Sequence, residues 1–167
     1  GKVKHWGISV NDYEPENCLK TLDTGLISTI QFIFNIFHQK PNKELLPYCK
    51  KHKIGLIARV PLDEGGLTGT ITSQTAFHDW RQSYFTPERR RELVERIGKL
   101  KRITENVPIP ELALRWILSH PEISTVIPGM RKETHVIKNV LAVEQGKLHS
   151  ELMEKIKEHA WERNFYR

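Results

Sequence analysis

Residues 122–139, EISTVIPGMRKETHVIKN, constrain the fold of this chain more than any other stretch. Ser124, Thr125, Val126 and Ile127 form a short run with β-branched residues, of the length of a buried strand. Pro128 and Gly129 break it, and beyond Lys132 the residues Val136, Ile137 and Val140 recur at helical spacing. A strand that turns through glycine into a helix leaves backbone N–H groups free at a positive dipole end, here beside Arg131 and Lys132. Such a turn can hold a phosphate. A solvated basic helix start is the plainer explanation of the same residues, so the surrounding chain has to decide.

That chain repeats the same unit. Residues 3–9 (VKHWGIS) read as a strand, Asn11 and Asp12 as a turn, and residues 14–22 as a short helix with Pro15 in its first turn. Gly25 ends it. Residues 27–34 are a second strand, apolar on both faces as a covered parallel strand should be. A loop carrying Pro41 leads to a helix over 43–52, with Leu45, Leu46 and Cys49 on one side, and residues 55–59 (GLIAR) form a third strand. Residues 60–84 are irregular, with Gly65, Gly66 and Gly69 early on, and a loop this long inside a domain commonly covers a ligand. Thr86 and Pro87 open a charged helix to about Lys101. Residues 110–119 form a helix burying Leu112, Ala113, Trp116 and Ile117; residues 150–163 form a last amphipathic helix.

Strands alternating with helices mean an α/β fold with a parallel sheet and right-handed crossovers. The first and last strands are as apolar as the middle ones, so they read as central rather than as edges. Four βα units of this kind are half of an eight-stranded, TIM-type barrel, and the expectation is one unit over residues 1–167 that is the second half of such a barrel.

Charge narrows the partners. Lys and Arg number 26 against 20 Asp and Glu, a surplus of +6 that suits an anionic ligand. The basic helix PERRRELVERIGKLKR also carries Glu88, Glu92 and Glu95 at pairing distance, which reads as a solvated face and not as a nucleic-acid surface. No apolar run approaches membrane-spanning length, and no signal peptide is evident. Cys18 and Cys49 are isolated, as free thiols of a cytoplasmic protein would be. The eight His residues are scattered without ligand spacing, so no metal site is expected.

In βα folds ligands gather at the C-terminal ends of the strands. Strand one ends at Ser9, Val10 and Asn11, strand two carries Gln31 and Asn35, and strand three ends at Arg59 before the glycine loop. Strand four ends at Ile127 and leads to Gly129 and Arg131, with His135, Lys138 and Asn139 on the following helix. Amides at one end and cations at the other suit an extended, phosphate-bearing ligand.

Taken together, GKVKHWGIS, TIQFIFN, IGLIARVPLDEGGLTG, PELALRWILSHPEISTVIPGMRKETHVIKN and HAWERNFY resemble, in order and interval, the C-terminal half of the aldo-keto reductases. The resemblance implies NADP, with NAD less favoured, bound extended across the strand ends, and hydride transfer to an aldehyde or ketone. By position it assigns Ser9, Asn11 and Gln31 to the nicotinamide carboxamide, although Val10 separates a usually adjacent Ser-Asn pair. Arg59 falls where many members place an aromatic ring on the nicotinamide; a planar guanidinium can also stack, or it could pair with Asp63 or Glu64. Val60, Pro61, Leu62, Gly65 and Leu67 match the loop over the pyrophosphate. Ile127, Gly129 and Arg131 match the adenosine-phosphate turn, and His135 and Asn139 the adenine side. Gly129 replaces a frequent Lys, leaving the 2′-phosphate to Arg131, and Lys138 replaces a frequent Glu.

The family's catalytic Asp, Tyr, Lys and His have no match, and Tyr13, Tyr48, Tyr84 and Tyr166 do not stand in that motif. No catalytic residue is therefore assigned; the tetrad is expected before residue 1, and this chain alone is expected to be inactive. Expected partners are a small carbonyl substrate, and either a completing half-barrel or a second copy. A non-catalytic cofactor-binding regulatory module of the same fold, like those serving potassium channels, is the other expectation. Trp6, Trp116 and Trp161 read as packing residues, and Trp80 as a pocket-lining one.

Overall fold

The computed structural model describes residues 1–10, 14–104 and 107–161. Four strands, β1 (Trp6–Ser9), β2 (Ile27–Ile33), β3 (Gly55–Arg59) and β4 (Ile123–Val126), form one parallel sheet in the order β1-β2-β3-β4. Each strand therefore lies beside the next in sequence, the order that a βα repeat curling in one direction generates.

The connections are shorter and tighter than their sequence suggests. The segment expected as one helix over 14–22 is a 3₁₀ turn, Pro15–Cys18, running into a single helical turn α1 (Leu19–Leu22). Pro15 fixes the first φ but supplies no N–H, and no side chain caps either piece. A 3₁₀ turn at Lys40–Asn42 precedes α2 (Leu45–His52), which ends at Lys53 with φ 55°. The long segment after β3 contains a 3₁₀ stretch, Asp63–Thr68, and the short α3 (Arg81–Tyr84). The Thr86 side chain accepts from the Arg89 N–H to cap α4 (Pro87–Ile103). Next come α5 (Ile109–Leu118), α6 (Glu133–Glu144) and α7 (Ser150–Lys157); the last is shorter than expected, and residues 162 and 163 lie outside the described part.

Side-chain alternation in the sheet assigns its two faces. Ile30, Phe32, Phe34, Leu56 and Ala58 are fully buried and share one cluster with Leu45 and Cys49 of α2, Leu93 and Leu100 of α4, Trp116 of α5 and Ile156 of α7. The opposite face carries Gly7, Ser9, Thr29, Gln31, Ile33, Ile57, Arg59 and Thr125; Gly7, Ser9 and Thr125 are exposed, Thr29, Gln31, Ile57 and Arg59 are half-buried, and Ile33 alone is buried. One face is packed under helices and the other is largely open, with Ile33 the buried exception. This corrects the expectation of strands covered on both sides.

The outer strands are corrected as well. β1 and β4 are the two edges of the sheet, and Trp6, expected to pack, is 61% exposed. Helix α6 lies against α5 with Ala142 buried, yet Val136, Ile137, Val140, Leu141 and Val143 remain exposed on its other side. The apolar periodicity that marked this helix thus runs along a surface without a partner among the described residues. The ion pairs Glu88–Arg91 and Glu92–Arg96 do form on α4, as its solvated face requires. Trp116 and Trp161 are buried.

Candidate functional site

At the C-terminal ends of β3 and β4 the chain forms an open cleft of about 600 Å³. Its floor and one wall are Val60, Pro61, Leu62, Glu64, Gly65 and Thr68, directly following β3. Its other wall is Ile127, Gly129, Arg131 and His135, directly following β4. Asp79, Trp80 and Arg81, from the end of the long segment, close a third side.

The wall after β3 is a tight, strained turn. Val60, Asp63 and Glu64 all have positive φ, at 54°, 52° and 54°, in company with Gly65 at 106°. Side chains at such angles, above all a β-branched one, cost energy that the surroundings must offset. Here the offset is visible. The N–H of Asp63 donates to the Val60 carbonyl at 3.1 Å, and the N–H groups of Gly65 and Leu67 both donate to the Leu62 carbonyl, at 2.9 and 3.0 Å. Asp63 is buried and accepts from the Tyr84 hydroxyl at 3.3 Å, tying the turn to α3.

Asn35 holds the other end of this turn. The sequence suggested it as a strand-end amide facing the ligand, but the residue is fully buried. Its amide donates to the Val60 carbonyl at 3.0 Å, and its oxygen accepts from the N–H groups of Phe37 and His38 at 3.0 and 2.9 Å. Asn35 therefore positions the loop. Leu67 is likewise fully buried in the core and presents no side chain to the cleft.

The wall after β4 begins where the Ile127 N–H still donates to the Ala58 carbonyl at 3.0 Å. α6 then starts at Lys132 with no side-chain cap, so its first N–H groups have no partner from a capping side chain. Arg131 and His135 flank this start and are both exposed. Asn139 donates to the Gly129 carbonyl at 3.4 Å, and with Lys138 it lines a separate hollow between α5 and α6.

Asp79 and Arg81 are functional candidates that sequence reasoning missed. The Arg81 Nε and Nη2 donate to the Asp79 carboxylate at 2.7 to 3.1 Å, and the guanidinium lies 5.0 Å from the Phe77 ring centroid. The Arg81 hydrogen bonds hold the Asp79 carboxyl below the ordinary carboxylate range. The available signal is the triplet Asp79-Trp80-Arg81, an acid, an aromatic and a base side by side near the end of the long segment, of which the sequence singles out Trp80 alone as pocket-lining.

A second group stands on the open face of the sheet. Ser9 and Gln31 are register partners on β1 and β2. Arg59, paired with Ile33 in register, sends its Nη2 to the Val10 carbonyl at 2.8 Å, across the end of β2. It pairs with neither Asp63 nor Glu64. The structure thus gathers Val60, Pro61, Leu62, Gly65, Ile127, Gly129, Arg131 and His135 in the cleft, and Ser9, Gln31 and Arg59 beside one another on the sheet. Asn11 lies outside the described residues, as do Tyr13 and Tyr166. Among the described residues no group of three or more His, Cys, Asp or Glu could hold a metal, and no helix is long and apolar enough to cross a membrane.

A cleft with a cationic wall, an uncapped helix start and a backbone-rich turn can take a polyanion, while hydroxyl and amide side chains on the sheet can take a carboxamide. Comparison with known proteins agrees in kind. A family model described as the aldo/keto reductase family matches residues 1–160. An uncharacterized oxidoreductase of Bacillus subtilis is 24% identical, over 95% of this chain and 51% of that protein. The NADH-specific methylglyoxal reductase of Escherichia coli is 26% identical, over 86% of this chain and 44% of that protein. A putative voltage-gated potassium channel subunit beta of Schizosaccharomyces pombe is 32% identical over 70% of this chain and 37% of its own length. In structure, the glycerol dehydrogenase of Gluconobacter oxydans superposes with a TM-score of 0.79 at 25% identity, covering 95% of this chain and 49% of that one. The chain spans about half the length of the relatives it matches, and its α/β fold is that of half an aldo-keto reductase barrel. The chain belongs to the aldo/keto reductase family.

Proposed function

We propose that this chain is the cofactor-binding half of a nicotinamide-dependent oxidoreductase that reduces aldehydes or ketones to alcohols by hydride transfer. The observation that carries this is the convergence of three separate segments, 60–68, 79–81 and 127–135, on one cleft at the strand ends. The pyrophosphate lies over the turn of Val60, Pro61, Leu62 and Gly65, and the adenosine end against Gly129, Arg131 and His135. The nicotinamide reaches the open face, where Ser9 and Gln31 offer a hydroxyl and an amide to its carboxamide.

NADP is favoured over NAD because Arg131 supplies an exposed cation at the adenosine end, where a 2′-phosphate would sit. The Asp, Tyr, Lys and His of the family have no match in these residues. Proton donation to the carbonyl oxygen, typically worth about 10²–10⁴-fold, is on this reading supplied by the completing half-barrel and not by this chain. The edges β1 and β4 and the apolar side of α6 are where that half, or a second copy, would pack. Cys18 and Cys49, both buried and not joined in a disulfide, suit a reducing cytoplasm.

A non-catalytic regulatory module of the same fold is the second reading, supported by the potassium-channel subunit beta relative. The two are separated by following NADPH consumption with a panel of small aldehydes, using protein expressed from its complete gene. Turnover that falls in Arg131→Ala through a raised cofactor KM is the expected result. Tight cofactor binding without turnover would favour the module, and neither binding nor turnover would refute both.

A further inference from the structure

Arg59 is a charge set on the open face of the sheet with no ion-pair partner among the described residues. Its Nη2 is spent on the Val10 carbonyl at 2.8 Å. Its Nε is shielded from solvent and has no hydrogen-bond partner among the described residues. No carboxylate pairs with it among those residues, although Asp63 and Glu64 follow within a few positions. Asp63 is turned instead to the Tyr84 hydroxyl. The Val10 bond pins the guanidinium across the end of β2, above Ile33, which is buried yet outside the main core cluster. An arginine carries its charge at any pH the protein meets and presents a flat face that stacks on planar rings.

We propose that Arg59 makes the site discriminate between the two redox states of its cofactor, binding the reduced form more tightly than the oxidised one. This rests on the nicotinamide lying over Ser9, Gln31 and Arg59, as in the function proposed above. The oxidised nicotinamide ring carries a positive charge and the reduced ring is neutral, while the phosphates, adenosine and carboxamide are shared by both. Contacts to the shared parts cancel in the ratio of the two affinities, so that ratio reports what lies near the ring. A guanidinium a few ångströms from the ring repels only the oxidised form, and in a partly dried site the repulsion exceeds its value in water. The effect on the ratio is on the order of tenfold. Once the ring had given up a hydride it would carry the charge that Arg59 disfavours, so the residue would hold the bound equilibrium back toward the carbonyl while hastening loss of the spent cofactor.

The test compares Kd for NADPH and for NADP⁺, each titrated by tryptophan fluorescence into protein from the complete gene. Wild type, Arg59→Gln and Arg59→Lys are measured side by side. Gln can still donate to the Val10 carbonyl but is neutral; Lys keeps the charge. The expected result is a ratio favouring NADPH by on the order of tenfold in wild type, retained in Arg59→Lys and collapsing toward one in Arg59→Gln. Arg59→Met, also neutral and of similar length, stands in if Arg59→Gln does not fold. Equal ratios in wild type and the neutral variant, or a Lys variant behaving like Gln, would overturn the role of Arg59 while leaving the cofactor site standing. Absence of binding of both cofactor forms to wild type would overturn that site and with it this proposal.

Discussion

Arg81 grips Asp79 with both Nε and Nη2, at 2.7 to 3.1 Å, and this pair forms the side of the cleft farthest in sequence from the strands. The carboxylate fixes the guanidinium at the rim and partly neutralises it, so Arg81 is a directed donor more than a bare charge. Replacing Arg81 by Ala removes the donor and frees the segment, and cofactor affinity should fall by about five- to thirtyfold. Titration of NADPH into Arg81→Ala and wild type checks this, and an unchanged Kd would remove the long segment from the site.

Arg131 should set cofactor choice. Arg131→Ala is expected to weaken NADPH by about tenfold to a hundredfold, as loss of a charge-assisted contact does, and to leave NADH nearly unchanged. Equal losses for both cofactors would place Arg131 against the shared pyrophosphate and not against a 2′-phosphate.

Gly66 is held by packing and not by its backbone angle. A Cβ added there would meet the Asp63 carboxylate, and would press on Leu93 at 3.3 Å. Gly66→Ala should therefore destabilise the protein by about 1–3 kcal/mol and disturb the turn that carries Val60 to Gly65. Thermal unfolding and cofactor affinity should move together; a variant with wild-type stability would contradict the packing.

His120 links stability to pH. Its Nδ1 approaches the carbonyls of Trp116 and Ile117 at 2.9 and 3.3 Å, so that nitrogen carries the proton and donates. Burial against Phe34 and Trp116 lowers its pKa below the ordinary 6.5. The unfolded chain thus takes up a proton that the folded chain resists, and stability falls as the pH drops below about 6.5. His120→Gln should flatten that part of a denaturation-against-pH curve. A wild-type curve flat between neutral and mildly acidic pH would contradict it.

The open edges predict association. β1 and β4 present strand edges unpaired among the described residues, with exposed Trp6 at one and exposed Ile127 and Met130 beyond the other. The 167-residue chain alone should self-associate with rising concentration, and Val140→Glu on the exposed side of α6 should reduce it. Light scattering that shows a monomer at all concentrations would contradict this.

Much of this was readable from residue order alone. Turn residues and the switch between two kinds of periodicity located all four strands to within three residues at their ends, because βα units are local in sequence. What periodicity could not reveal is which apolar face meets a partner. Val136, Ile137 and Val140 look the same on paper whether they are buried or, as here, exposed. Strand pattern was equally blind to Asn35, whose side chain turns inward to bind three backbone groups fixed by the fold and not by spacing. The cleft residues adjacent to strand ends were legible because the strand end places them. Asp79 and Arg81 were not, since nothing local shows that a long loop folds back over the site.

The measurement closest to the central claim is hydrogen exchange of the protein with and without NADPH, read by peptide mass. Bound cofactor should slow exchange in residues 60–68 and 127–135, the two walls of the cleft, and leave the outer helices α2 and α7 unchanged. Protection elsewhere with none in these walls, or no protection at saturating NADPH, would contradict a nicotinamide cofactor site at the strand ends.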